Sequence, residues 1–383
     1  MECTLYLTDS CNMLCSYCYE GENKEKSFMS EEVLESAIDY MIKNNPTDDR
    51  IDLLFLGGEP LLNKKIMYAA ISIINNRYNE YKHLFSYQIT TNGSLIDKNV
   101  ISFFKENNFD VSISIDGNIE THNINRKSIS GKDIYNKIIK NMNWMLEVGL
   151  DLTVRMTVTL NNVSYLYENV KYFYNMGIRH VNLGLDQLAS WSEKEMKVFD
   201  EQLTMLENLY LNYVTNDPTK ILNIFDYKLA SIVFKKTQKY CSAGTKEHYI
   251  VNSKGEIYPC GYVSNLKEWC LGNVKNGLNS ELFLFKVGEN IKREASCSGC
   301  EISPSCCGAK CGFLNYRLTG YLNVNSFVTC QLHKIVYTHL LHVAEVLYKR
   351  NNIRIVSMLE AAKTNGIDLT DAMIKIIDKY EEK

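Results

Sequence analysis

Cys11-Asn12-Met13-Leu14-Cys15-Ser16-Tyr17-Cys18 places three thiols on one short loop at C-x3-C-x2-C spacing. Three is the informative number. A closed structural zinc site takes four protein ligands, and most cubane iron–sulfur clusters take four thiolates. Three thiolates on such a cluster leave one iron for a ligand that is not protein.

Outward from this loop the chain alternates short apolar runs with helical periodicity. Thr4–Asp9 reads as a strand entering the loop. Ser30 is placed to cap a helix whose apolar face carries Val33, Leu34, Ala37, Ile38 and Met41. Ile51–Leu56 is a bounded apolar run, expected to be a buried parallel strand, and it ends at Gly57-Gly58-Glu59-Pro60. Strands are expected at Phe85–Thr91, Asp110–Ile115, Leu150–Thr159 and Arg179–Gly184. Helices are expected near 64–80, 97–107, 132–148 and 163–176. Six strands alternating with helices predict an α/β fold, a partial (β/α)6 barrel. In such folds chemistry sits at the C-terminal strand ends. The cysteine loop, Gly57–Pro60, Thr91-Asn92-Gly93 and Asp116-Gly117 all fall there. A long helix over about Glu193–Val214 follows, and helical periodicity returns in the last fifty or so residues.

The chain has 383 residues, with 45% apolar and 23% charged content, as in an ordinary globular protein. Forty-two basic against 45 acidic residues give a formal charge of −3, which argues against a nucleic-acid partner. The first residues show no basic and then apolar signal pattern, and no run approaches the length of a membrane span. A cytoplasmic protein with no membrane partner is expected. Thirteen cysteines in that compartment point to metal ligands rather than disulfides. Four lie at residues 3–18, none at 19–240 and nine at 241–330, so two sites are marked.

The cysteine loop, with Tyr17 before its last thiol, resembles that of the radical SAM enzymes. Gly57-Gly58-Glu59-Pro60 is similar to that family's second signature. The resemblance covers about the first 190 residues. It implies a [4Fe–4S] cluster on Cys11, Cys15 and Cys18, with S-adenosylmethionine (SAM) on the fourth iron. One electron from the cluster then cleaves SAM to methionine and a 5′-deoxyadenosyl radical, which takes a hydrogen atom from the substrate. Gly57 and Gly58 let backbone approach the methionyl end of SAM. Glu59, followed by Pro60, is expected to accept from its ammonium directly or through backbone geometry. Tyr17 is offered to the adenine. Thr91, Asn92, Ser114 and Asp116 stand where contacts to the sulfonium end and ribose belong. Arg155 suits the SAM carboxylate or ribose. For Asn92, Ser114 and Asp116 ordinary loop capping is the competing reading, and for Arg155 a surface ion pair.

The later cysteines run Cys241, Gly255, Cys260, then Cys297-x2-Cys300-x5-Cys306-x4-Cys311, then Cys330. This array is similar to the SPASM extension of some radical SAM enzymes, which carries up to two auxiliary [4Fe–4S] clusters. Carried over by position, Cys297, Cys300, Cys306 and Cys330 close one cluster. Cys241, Cys260 and Cys311 hold the other, with Cys270 as an optional fourth ligand, while Cys307 either replaces Cys306 in the pattern or is a spare. Three [4Fe–4S] clusters and SAM are therefore the expected cofactors. The expected division is a radical SAM barrel with bridging helix over 1–225, a SPASM domain over 226–334 and C-terminal helices over 335–383.

SPASM enzymes commonly modify peptides or proteins. Anaerobic sulfatase maturases, which make formylglycine, carry an acidic general base right after the cysteine equivalent to Cys260. Here that residue is Gly261. The preferred expectation is therefore a maturase that closes a cysteine thioether on a ribosomally made peptide. Formylglycine formation, C–C crosslinking and epimerisation are the alternatives, and a non-catalytic iron–sulfur electron carrier or sensor is the alternative outside enzymes. No side-chain acid or base is assigned. Expected partners are a cysteine-containing peptide or protein and an electron donor such as flavodoxin or ferredoxin. The first cluster loop begins at residue 11, which leaves no room for an N-terminal leader-binding domain. Leader recognition is therefore expected on the barrel rim, the C-terminal helices or a separate protein.

Overall fold

In this computed structural model, residues 1–21, 26–45, 49–131, 134–235, 242–293, 297, 299–300, 302–303, 306 and 311–381 are described. In chain order the elements are β1 (Glu2–Tyr6), β2 (Met13–Cys15), α1 (Glu31–Lys43), β3 (Ile51–Leu56), α2 (Lys64–Arg77), β4 (Phe85–Thr91), α3 (Lys98–Glu106), β5 (Asp110–Ser114), α4 (Ile119–Asn125), β6 (Arg126–Ser128), α5 (Tyr135–Glu147), β7 (Leu152–Val158), α6 (Leu166–Asn175), β8 (His180–Leu185), α7 (Glu193–Asn216), β9 (Ile221–Leu222) and α8 (Asn223–Val233). There follow β10 (His248–Val251), β11 (Glu256–Tyr258), β12 (Gly272–Asn273), β13 (Gly277–Leu278), α9 (Ser280–Glu289), α10 (Gly312–Thr319), α11 (Phe327–Lys349), α12 (Ile353–Asn365) and α13 (Asp371–Glu381). No described helix is long and apolar enough to cross a membrane.

The chain forms two compact units. The first comprises residues 1–115, 122–154 and 242–290. At its centre β1, β3, β4 and β5 run parallel. The helices between them start on local signals. Ser30 accepts from Val33 N at the start of α1, and Asp97 accepts from Val100 N at the start of α3. The strands alternate in burial. Ile51, Leu53 and Phe55 are buried, as are Tyr87, Ile89, Val111 and Ile113. The other face of β4 and β5 carries half-buried Ser86, Gln88, Thr90, Ser112 and Ser114. Leu54 and Leu56 share that face, so β3 is buried on one side and half-buried on the other. The apolar run hides the alternation because leucine also occupies the half-open face.

Beyond β1 the sheet gains β10, parallel to β1, and then the antiparallel β11, β12 and β13. Residues 242–290 thus extend the first unit's sheet, although the sequence reading groups them with the later cysteines.

The second unit comprises residues 116–121, 155–241 and 291–383. Here β8 and β9 pair in parallel, and α7, α8, α11, α12 and α13 form a helical cluster. Its core includes Phe199, Leu203, Leu206, Phe225, Leu332, Val336 and Val343. The helix α11 runs without a break from Phe327 to Lys349, across the position where the sequence reading divides 334 from 335.

Candidate active site

The cysteine loop is pinned at both ends. Its stem, β2, pairs antiparallel with β6, so that Met13 faces Ser128 and Cys15 faces Arg126. Ser16 N donates to Asn125 O at 2.9 Å, and Ser16 Oγ donates to Asn125 Oδ1 at 2.9 Å. Cys18 N closes a turn onto Cys15 O at 3.1 Å. Met13 N donates to Cys11 Sγ at 3.4 Å, and Arg126 Nη1 to Cys15 Sγ at 3.9 Å. Donors aimed at sulfur favour the thiolate, the form that binds metal. The Arg126 guanidinium also lies 5.2 Å from the centroid of the Tyr17 ring.

Gly57 and Gly58 sit directly against this loop. Gly57 has φ +130°, and a Cβ built on it would fall 2.2 Å from Thr8 O. A Cβ on Gly58 would fall 2.3 Å from Ser10 O. Gly58 N donates to Thr8 O and Glu59 N to Ser10 O, each at 2.9 Å. The two motifs therefore meet as one backbone layer, and only glycine permits that approach.

Glu59 is 1% exposed, and its carboxylate turns into the protein. Oε1 accepts from Leu61 N at 3.1 Å and from Thr91 Oγ1 at 2.6 Å, while Oε2 accepts from Asn92 N at 2.8 Å. Of the two roles expected for Glu59, the side chain thus serves the loop geometry rather than reaching out as an acceptor. Asn92 is tied in as well. It donates to Asn12 Oδ1 at 2.8 Å and accepts from Ser94 Oγ at 2.6 Å, while Asn12 donates to Ser94 Oγ at 2.9 Å. Thr91 and Asn92 thus join the cysteine loop to the end of β4. Ser114 is half-buried at the end of β5.

In the second unit, Asp116 is fully buried and accepts from Thr157 N of β7 at 3.0 Å. Arg155 stands exposed on β7, on the face opposite buried Val154 and Met156. No ion pair involving it occurs among the described residues.

The later cysteines divide between the units. In the first, Cys260 precedes a short 3-10 turn, Gly261–Val263, and the Cys270 thiol donates to Gly272 O at 3.5 Å. Around Gly261 the space is closed. A Cβ there would lie 2.8 Å from Tyr6 Oη and 3.3 Å from both Cε2 and Oη of Tyr19. The two tyrosine hydroxyls are 3.1 Å apart, and Tyr19 packs on Tyr262 with ring centroids 5.6 Å apart. Burial pushes the Tyr6 phenol well up, and the charge of Glu20 adds to that.

In the second unit, Cys330 lies in the first turn of α11 and Cys311 precedes α10. Asn325 Nδ2 donates to Cys297 Sγ at 3.0 Å. Burial raises the Cys330 thiol, and the neighbours that raise it further are Cys297, Cys306 and Cys300, so these four share one locality. Cys241 and Cys307 lie outside the described residues. Every described cysteine is a free thiol. Cys3 is the bland one, fully buried in β1 with its thiol pushed up to about 12 by burial.

Several residues of this site carry no signal in the motifs. Arg126, Asn12, Ser94 and Asn125 become visible only through the β2–β6 ribbon and the loop web. His122, fully buried against Tyr135, is pushed down to about 3 by burial.

The described residues contain no group of three or more His, Cys, Asp or Glu side chains gathered for a single metal ion. Free thiols on a donor-lined loop, over a glycine pair that admits no side chain, fit a cluster that spreads its ligands over several irons. They also fit a small zwitterion lying against exposed backbone. This is an α/β enzyme built on a three-cysteine loop. Residues 5–173 match the family described as the radical SAM superfamily. The chain belongs to that superfamily.

An uncharacterized protein of Methanocaldococcus jannaschii is 30% identical over 71% of this chain and 88% of its own length. A cysteine-type anaerobic sulfatase-maturating enzyme of Clostridium perfringens is 28% identical over 75% of this chain and 83% of its own. Among solved structures, anSMEcpe with bound AdoMet and Kp18Cys peptide superposes with a TM-score of 0.73 at 25% identity, covering 91% of this chain and 99% of that one. The chain is an enzyme of the radical SAM class.

Proposed function

We propose that this enzyme matures a cysteine-bearing peptide by closing a thioether between the cysteine sulfur and a carbon of the same peptide. The observation that carries this reading is the closed space at Gly261. Sulfatase maturation oxidises the cysteine Cβ to an aldehyde, and the corresponding reading places a carboxylate next to Cys260. In this chain the residue is glycine, and the Tyr6 hydroxyl stands 2.8 Å from where its Cβ would be. Tyr6 is 2% exposed and held by Tyr19, so the position cannot take an acidic side chain without rebuilding the tyrosine pair.

Cys11, Cys15 and Cys18 would hold the SAM-binding cluster, with backbone of Gly57–Pro60 and the faces near Tyr17 and Ser114 offered to SAM. Cys297, Cys300, Cys306 and Cys330 would hold one auxiliary cluster. Cys241, Cys260 and Cys311 would hold the other, with Cys270 as its optional fourth ligand. When bound, these groups supply removal of one hydrogen atom from the substrate and an acceptor for a second electron. The chain itself orients. Glu59 fixes the glycine layer, Arg126 sets positive charge beside Cys15, and Tyr6, Tyr19 and Tyr262 form an aromatic wall beside Cys260 that excludes water. Forming the S–C bond removes one hydrogen from sulfur and one from carbon, two electrons in all. A flavodoxin- or ferredoxin-class donor provides the priming electron.

The test is mass analysis of a cysteine-rich peptide after incubation with the reconstituted enzyme, SAM and reductant. The expected product has lost two hydrogens per crosslink, keeps its sulfur and no longer reacts with alkylating reagents. A product that has lost sulfur and gained an aldehyde refutes the thioether and establishes the maturase reading of the Clostridium perfringens relative.

A further inference from the structure

Four lysines gather on one side of the first unit, in a protein whose net charge is −3. They line an open groove of about 850 Å³. Lys64 lies at the start of α2, Lys98 at the start of α3, and Lys137 and Lys140 on α5. The one carboxylate in the lining, Asp97, is taken by Lys64 at 2.8 Å. Lys98, Lys137 and Lys140 are exposed and have no carboxylate partner among the described residues.

The groove also has an apolar floor, which includes Leu61, Ile96 and the half-buried ring of Trp144. Lys140 Nζ stands 4.7 Å from the Trp144 centroid and Lys98 Nζ 5.6 Å from it. Each contact is favourable alone. Two ammonium groups brought to one indole ring repel each other, and an anion placed there relieves the repulsion.

The location matters as much as the charge. Leu61 and Leu62 follow Glu59-Pro60 directly, and Leu95–Asp97 follow the Thr91–Ser94 web directly. The groove is thus lined by residues that directly follow the glycine layer and the β4 loop in the chain. A bare polyanion would use the lysines and leave the floor wet. A peptide with acidic and apolar residues uses both, and a volume of several hundred cubic ångströms suits a short segment of it.

We propose that this groove binds an acidic, amphipathic segment of the substrate peptide, with its carboxylates on Lys98, Lys137 and Lys140 and an apolar side chain against Trp144. The proposal rests on the reading of the enzyme as a peptide maturase.

The test is equilibrium binding of a dye-labelled peptide of alternating glutamate and leucine to the anaerobically reconstituted full chain, without SAM or reductant. Saturable binding is expected, weakened at least about tenfold by K137E/K140E and by raised salt. Three results each overturn the proposal. One is equal affinity for wild type and K137E/K140E. Another is equal binding of a glutamate–serine peptide, which lacks the apolar anchor. The third is displacement by an oligonucleotide of the same charge as effectively as by the unlabelled peptide, which would make the groove a general polyanion surface. Thermal melts establish that the variant is folded, and K98E repeats the test from a different helix. Because no turnover is involved, failure here leaves the thioether reading standing, and failure of the thioether assay leaves the groove standing.

Discussion

Thr91 Oγ1 donates to Glu59 Oε1 at 2.6 Å, and the same carboxylate receives the backbone amides of Leu61 and Asn92. One buried carboxylate thereby locks the loop after β3 to the end of β4. Every one of these contacts is a donor. Glu59→Gln turns an amide N–H₂ toward at least one of them, leaving a buried donor facing a donor. A loss of about 2 kcal/mol in denaturant unfolding is expected, with reduced iron retention after reconstitution. Unchanged stability and iron content would contradict the locking role.

Gly57→Ala is expected to be worse. The new Cβ meets Thr8 O at 2.2 Å, and φ is +130°. Backbone strain and overlap together cost about 3 kcal/mol. The cysteine loop rests on that carbonyl, so cluster incorporation is expected to fall. Gly184→Ala is the control, since its nearest contact is an ordinary 3.7 Å from Met156 O. Comparing iron per chain in the two variants checks the claim.

Arg126 carries a charge that Cys15 and Tyr17 both sense. Arg126→Met removes a cation beside Cys15, a proposed cluster ligand. Positive charge favours the reduced, more negative cluster, so its potential is expected to move to more negative values. Redox titration followed by electron paramagnetic resonance reads this without turnover. Arg126→Lys should restore part of the shift.

In the second unit, His339 faces carboxylates from both ring nitrogens, Glu207 at Nδ1 and Asp200 at Nε2, the latter at 2.8 Å. His342 donates to the other oxygen of Glu207 at 2.7 Å. Burial alone would lower the His339 pKa, but the two carboxylates outweigh it and the net shift is upward from 6.5. A raised folded pKa means the stabilisation is complete below the unfolded value and is lost as pH climbs through the folded one. Stability of the α7–α11 contact is therefore expected to fall from pH 6 upward by about 1–3 kcal/mol. His339→Gln should flatten this dependence, and an unflattened curve would assign it elsewhere.

Much of the barrel half was legible because its signals are local. Ile51–Leu56 and Phe85–Thr91 are strands over the residues their composition bounds, and Ser30 caps its helix as its side chain allows. The thiol loop and the glycine tetrad were legible as motifs, but their mutual contact at Thr8 and Ser10 was not. That contact depends on a positive φ and on tertiary approach. The β2–β6 ribbon escaped for a related reason. Three-residue strands have no periodicity to read, so Arg126 came into view only with the fold. Glu59 shows the other limit. A carboxylate in a binding motif suggests a ligand contact, while the fold gives its oxygens to Thr91, Asn92 and Leu61. The apolar sequence of β3 likewise concealed that Leu54 and Leu56 share the half-open face with Gln88 and Thr90.

The most direct measurement follows a hydrogen atom. An aldehyde at the cysteine Cβ requires a C–H bond there to break, whereas a thioether to another residue leaves the cysteine methylene intact. A substrate peptide deuterated at every cysteine Cβ should therefore yield 5′-deoxyadenosine with no deuterium, while the peptide gains a sulfur–carbon bond. Deuterium appearing in the 5′-deoxyadenosine would contradict the thioether account.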